Sequence, residues 1–240
     1  MKKSNLLTTS LFTTGALAIP LVAPLAHSAE LDITIQNLTS GMVFTPILAV
    51  AHTPDASLFE LGEMASTEIQ AMAEGGSLDG LAAIGTSINA DALANPAGGL
   101  LLPSMSTSGS LSTADSNTVL SVVAMILPTN DGFIGLDNWV IPSEAGTYTV
   151  YLSAYDAGTE ANDELRGSGA PSMAGMPVPP PLETQIGMNG SGVASTITND
   201  KIHIHPGNIG DADATAGSSD TNNMIHRWLN PVAKVTVVVN

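Results

Sequence analysis

The apolar residues of this chain recur with a period of two or in short unbroken runs, and one stretch alone breaks that pattern. "LDITIQNLT" sets Leu31, Ile33 and Ile35 against polar neighbours, as a half-buried strand requires. "MVFTPILAVAHT" follows the natural turn at Ser40-Gly41 and reads as a more buried strand. "NTVLSVVAMILP" and "GTYTVYLSAY" are strong strands, and "KIHIH" and "VAKVTVVVN" close the chain. The exception is "LFELGEMASTEIQAMAEGG", where Leu61, Met64, Ile69, Met72 and Ala73 fit one helical face and Gly75-Gly76 supplies a stop. "SLDGLAAIGTSI" reads as a second short helix or a turn. Strands and helices do not alternate, so a doubly wound sheet is excluded. The economical architecture is mainly β, an antiparallel β-sandwich with a short helical insertion.

Between these runs the chain is rich in Gly, Ser and Pro. Residues 91–116 read as loop with one short strand in "GGLLLPS", and "GSGAPSMAGMPVPPPLE" as an extended excursion over the surface. The first 29 residues have Lys2 and Lys3, then an apolar stretch, then small residues around Ala26, Ser28 and Ala29, the order of a secretory signal. Residues 1–29 are therefore read as a signal peptide and 30–240 as one exported domain (periplasmic, cell-surface or secreted). No later segment is long enough to span a bilayer.

Charge narrows the partners. The chain carries 22 acidic and 6 basic residues, a net of −16, and loss of Lys2 and Lys3 makes it −18. Such a surface repels nucleic acid and anionic lipid and favours cations or plain solubility. There is no cysteine, so thiol catalysis and cysteine-type zinc sites are excluded. No "GxSxG" occurs, and no phosphate-binding loop is present. Asn37 in "NLT" and Asn189 in "NGS" match the glycosylation acceptor pattern.

Two acidic loops stand out, "LPTNDGFIGLD" and "YDAGTEANDE". Each follows a strand, and if both strands run into the same edge, Asp131 and Asp156 face one another. Gly158 allows a tight bend that would bring Glu160 back towards Asp156. Calcium takes six to eight oxygens from flexible loops and suits such a set. Solvated loop acids and turn caps account for the same spacing, and no complete EF-hand pattern decides between them.

"VVAMILPTNDGFIGLD", "VYLSAYDAGTE" and the terminal "PVAKVTVVV" resemble the spondin N-terminal domain family in its bacterial, exported form, over about Leu31 to Asn240. The resemblance implies a C2-like β-sandwich with a calcium ion held by Asp131, Asp156 and Glu160. It implies a non-catalytic module for adhesion or matrix and surface interaction, with an unnamed extracellular or cell-surface partner and the calcium tying the loop tips together. Animal members have Asp where Glu160 stands, Trp near Gly132-Phe133, and cysteines that are absent here. Asp163 and Glu164 are read as solvated charge, as a second layer around the site, or as partners of Arg166.

A rival reading uses histidine. His203 and His205 lie two apart on a strand, so they should share one face, with Ile202 and Ile204 turned inward. With His226 or His52 as a third ligand they would form a copper or zinc site.

Overall fold

The computed structural model describes residues 28–240, so the signal peptide expected at 1–29 lies almost wholly outside the described residues. Ten strands, two helices and a 3₁₀ turn follow in chain order. They are β1 (Glu30–Asn37), β2 (Val43–Phe44), β3 (Leu48–His52), α1 (Thr67–Gly75), α2 (Asp79–Ser87), β4 (Asp91–Ala94) and β5 (Ser106–Ser112). Then come β6 (Val119–Leu127), β7 (Gly132–Val140), β8 (Gly146–Asp156), the 3₁₀ turn (Pro180–Leu182), β9 (His203–Ile204) and β10 (Ala233–Val239).

The ladder runs β4-β3-β6-β7-β8-β10-β1-β5, with β2 on β6 and β9 on β8, and every strand pair is antiparallel. The mainly β, antiparallel architecture with a helical insertion is as the sequence implied. Its two layers are walls of one sheet that curls until its edge strands, β4 and β5, nearly meet. They meet through side chains. Gly109 on β5 pairs with inward-facing Ile33 of β1, and a Cβ on it would lie 2.7 Å from Leu93 Cδ1 of β4. Leu93 thus fills the volume that a larger residue at 109 would claim.

Two apolar layers result. Leu31, Ile33 and Ile35 of β1 meet Val122, Ala124 and Ile126 of β6 and Val235 and Val237 of β10 inside the curl. The opposite face of β6, with Val123 and Met125, packs under Ile69, Met72 and Ala73 of α1. All nine residues of β6 are buried, which is why this strand reads as an unbroken apolar run. The Ser66 side chain caps α1 by accepting from Ile69 N at 3.2 Å, and Gly76 closes it at φ 71°. Near the loop end of β7, Phe133 packs against Phe59 and Tyr155, with ring centroids 5.2 and 5.6 Å away.

Several local readings need correction. The helix starts at Thr67, capped by Ser66, so Leu61 and Met64 lie before it and are 58% and 70% exposed. "GFIGLDNWV" is a full strand, β7, and not loop beyond Asp131. In "GGLLLPS" only Leu101 pairs, through a single bridge to Phe44. Residues 91–116 hold two edge strands instead, β4 and the polar "STSGSLS" of β5. Asn37 of "NLT" is fully buried and donates to the Met42 and Leu101 carbonyls, which removes it as a glycan acceptor.

The closure through Leu93 and Gly109 sets a test. Gly109→Ala should lower the unfolding free energy in urea by ~1–3 kcal/mol through overpacking. Combined with Leu93→Ala, which clears the obstructing methyls, the loss should be smaller than the sum of the two single losses. Additive losses would show that the two edges do not meet.

Candidate functional site

Asp131 closes the four-residue turn between β6 and β7. Thr129 Oγ1 fixes that turn by donating to Ile126 O and accepting from Gly132 N at 3.0 Å. The β7–β8 ladder pairs Gly132 with Asp156, so the acid before β7 and the acid ending β8 become neighbours. Their strands do run to one edge, as the two-loop reading required. Both are buried, Asp131 at 0% and Asp156 at 2% exposure.

The two carboxylates are held differently. Asp131 Oδ2 accepts from Thr159 N at 2.8 Å, Glu160 N at 3.1 Å and Thr159 Oγ1 at 3.3 Å. Its Oδ1 is buried with no hydrogen-bond partner. Burial first, and the charge of Asp156 second, push the Asp131 carboxyl up to about 7 against the pull of those two N–H groups. Asp156 Oδ1 accepts from Gly158 N at 2.8 Å and Oδ2 from Asn162 Nδ2 at 2.6 Å. Gly158 sits at φ +72°, and a Cβ there would lie 2.6 Å from the Asp200 carbonyl carbon, so the bend after β8 requires glycine.

That bend delivers the backbone of Glu160 to Asp131 but turns its side chain elsewhere. Glu160 Oε1 accepts from Asn130 Nδ2 at 2.8 Å and from Gly175 N. Burial, the largest influence, raises its carboxyl above the usual range. Asp156 and Glu160 nevertheless both line a pocket of about 100 Å³, together with Asn162, Asn199 and His203. Among the described residues no group of three His, Cys, Asp or Glu side chains is poised as a metal cage.

The remaining acids of "YDAGTEANDE" are not solvated charge. Glu164 is 4% exposed and accepts from Ile209 N, Gly210 N at 2.8 Å, Ser219 Oγ at 2.6 Å and Thr221 Oγ1 at 3.0 Å. Asp163 Oδ1 accepts from Asn130 Nδ2 and Leu165 N. Arg166 pairs with Glu183 instead of either. Asn130, unremarked in the sequence, is a buried hub. Its amide joins Glu160 to Asp163, and its carbonyl accepts from Glu164 N at 3.1 Å.

The histidines do not gather. Strand β9 lasts two residues, so parity fails after it: Ile204 is 47% exposed while His205 is buried. His205 Nδ1 accepts from Gly207 N and His226 Nδ1 from Asn222 N, which puts the ring proton of each on a buried, unpartnered Nε2. Neither Nε2 then has a lone pair for a metal. Burial lowers both rings to about 4. His203 donates from Nδ1 to Lys201 O, leaving Nε2 free at 3.8 Å from Asp156 Oδ2.

His52 forms a grouping that the sequence did not disclose. Its Nδ1 donates to Thr53 O, and its Nε2 lies 2.8 Å from Ser121 Oγ, with Asp137 Oδ1 3.3 Å from that hydroxyl. Ser121 and His52 are buried at 0% and 1% exposure, and the acid touches the serine instead of the imidazole. This is a network under the sheet, closed to substrate and lacking the acid that orients a catalytic histidine.

Among the described residues no helix is long and apolar enough to cross a membrane. The Spondin_N family model matches residues 36–178, which include β6, β7, β8 and all three acids of the candidate site. No curated protein matches the chain. Spondin_N is a family of non-enzymatic extracellular domains. With more than half its length matched, the chain belongs to the Spondin_N family.

Proposed function

We propose that this chain is an exported, non-catalytic interaction module in which a calcium ion bound at Asp131 and Asp156 stiffens one end of the sheet for an extracellular or cell-surface partner. The observation that carries the reading is Asp131 Oδ1, buried without a partner beside a second buried carboxylate. Leaving a charged acceptor in that state costs more than the ~1–3 kcal/mol of a neutral one. A cation between the two acids removes both the orphan and the repulsion. Calcium fits the donors, which are carboxylate oxygens where strands give way to loops. Asp131 Oδ1 and Asp156 would hold it. Glu160, which lines a small pocket together with Asp156, would join by giving up Asn130 and Gly175. When bound, the ion supplies charge neutralisation and a tie between the two loops.

The first test is calorimetric titration of chelator-stripped protein with calcium, with zinc as the parallel control. One saturating calcium per chain is expected. At a free concentration one hundred times Kd it should stabilise the fold by about 2.7 kcal/mol. Asp156→Asn should abolish the gain. Asp131→Asn should abolish it too and, at pH 8 in chelator, should melt above the wild type, because the amide removes the buried charge and gives Asp156 a donor. Equal losses with calcium and with chelator, or binding of zinc alone, would overturn the reading.

The raised Asp131 carboxyl fixes a pH dependence. With calcium removed, the folded chain binds a proton that the unfolded chain has released, between the ordinary value of 3.8 and about 7. The contribution of this group to stability is therefore fully present below about 4 and declines as pH rises to about 7. Calcium should cancel that decline, and its affinity should weaken as pH falls below 7. Comparing melting curves of wild type and Asp131→Asn across pH 4–8, with and without calcium, isolates this group from the histidines.

A further inference from the structure

The opposite end of the sheet holds a second feature. A cavity of about 740 Å³ opens between the segment that follows β5, the end of β7 and the starts of β6 and β8. Strand β6 alone has nine residues, so this mouth lies roughly 30 Å from the acidic loops at ~3.3 Å per residue. Its wall is mostly apolar, with Val119, Val140, Ile141, Pro142 and the ring of Tyr148, and short polar side chains such as Thr113 and Ser143 complete it. Val119 forms the buried floor, while Val140 stands on the rim at 66% exposure. The Tyr148 hydroxyl donates to Glu144 O at 2.9 Å, and its ring packs edge-on to Trp139 with centroids 6.3 Å apart. Tyr148 thus presents carbon, its polar tip already satisfied. The side-chain amide of Asn117 is committed as well, to Asn89 O and Asp91 Oδ2.

This volume is that of a small-molecule site, and barrel mouths are where such sites form. The charge lining it selects among ligands. Glu144 is the one ionisable acid on the wall, and no lysine or arginine lines it among the described residues. The whole chain adds its net −16 to that field. An anionic head group is repelled, whereas a cationic one gains from Glu144 and from the face of Tyr148.

We propose that the mouth framed by Val119, Val140, Ile141 and Tyr148 binds a small apolar molecule that is uncharged or carries a positive head group. The site is separate from the acidic loops and does not depend on a cation there.

Fluorescence titration of the purified protein with Nile red tests this, with displacement by dodecanol, dodecyltrimethylammonium and dodecanoate below their micellar concentrations. Saturable one-to-one binding is expected, with dodecanol and the cation displacing the dye at least about tenfold better than dodecanoate. Val140→Trp, at an exposed position that leaves the core intact, should narrow the mouth and weaken dye binding about tenfold at an unchanged melting temperature. Glu144→Lys should shift the preference towards dodecanoate. Asp156→Asn and chelator should leave all of this unchanged, so failure here is distinct from failure of the calcium reading. The absence of saturable dye binding, equal displacement by dodecanoate, or indifference to both mouth variants would overturn the proposal. A concentration-dependent dimer that Val140→Trp abolishes would overturn it as well, by assigning the mouth to a second copy of the chain.

Discussion

Beyond Glu30 this chain has four lysines and arginines, so its buried acids have almost no bases to pair with. Their charge is met instead by backbone N–H groups, and much of the structure follows from that constraint. Asp131 takes the N–H groups of Thr159 and Glu160, Asp220 those of Arg166 and Gly190, and Glu164 those of Ile209 and Gly210. Glu74, within α1, reaches out to Ser172 N. Asp131, Asp220 and Glu164 each hold two N–H groups of irregular chain, at ~1.5–3 kcal/mol for a hydrogen bond to a charged group. A long segment with little regular structure thereby acquires fixed positions. It also gains an apolar underside, since Met176, Leu182 and Ile186 are buried beneath it.

The sheet supplies the surface on which this second layer rests. Strand β6 gives one face to the interior of the curl and the other to α1 and the irregular segment. A strand buried on both faces cannot shift register without moving two apolar layers at once. That rigidity carries to the turn after Leu127, and so to Asp131. For the same reason the orphaned oxygen of Asp131 is not relieved by a small movement of the turn. Thr129 and the Gly132–Asp156 ladder pair hold it from both sides.

What the sequence disclosed and what it hid divide along the range of the forces involved. Strand β1, the glycine stop of α1 and the convergence of Asp131 with Asp156 depend on neighbours within one element or on one ladder, and the local sequence reports them. Strand β5 escaped because an edge strand of Ser, Thr and Gly buries Leu111 alone. Strand β7 escaped because its first four residues are buried, the next four half-exposed and Val140 exposed, so no single period runs through it. The role of Glu164 stays open in the sequence because its four donors come from residues 209–221, more than forty positions away. Nothing near it in sequence signals them. The split of His203 from His205 likewise depends on a two-residue strand, where alternation has no length over which to persist.

The two ends of the sheet are therefore built by different physics. At the acidic end, geometry is set by carboxylates and N–H donors, and the balance there depends on charge. At the mouth, geometry is set by strand ends and apolar contact, and the energy available scales with area removed from water. Strand β8 joins them, with Tyr148 near its start and Asp156 at its end. Its ladder to β10 runs unbroken from Gly146 to Leu152, next to the mouth and short of the acids. A change of charge at Asp156 thus acts on chain beyond that ladder, while the positions framing the mouth are fixed by backbone bonds that the charge does not reach. This separation lets one small sheet present two surfaces of different chemistry without coupling them.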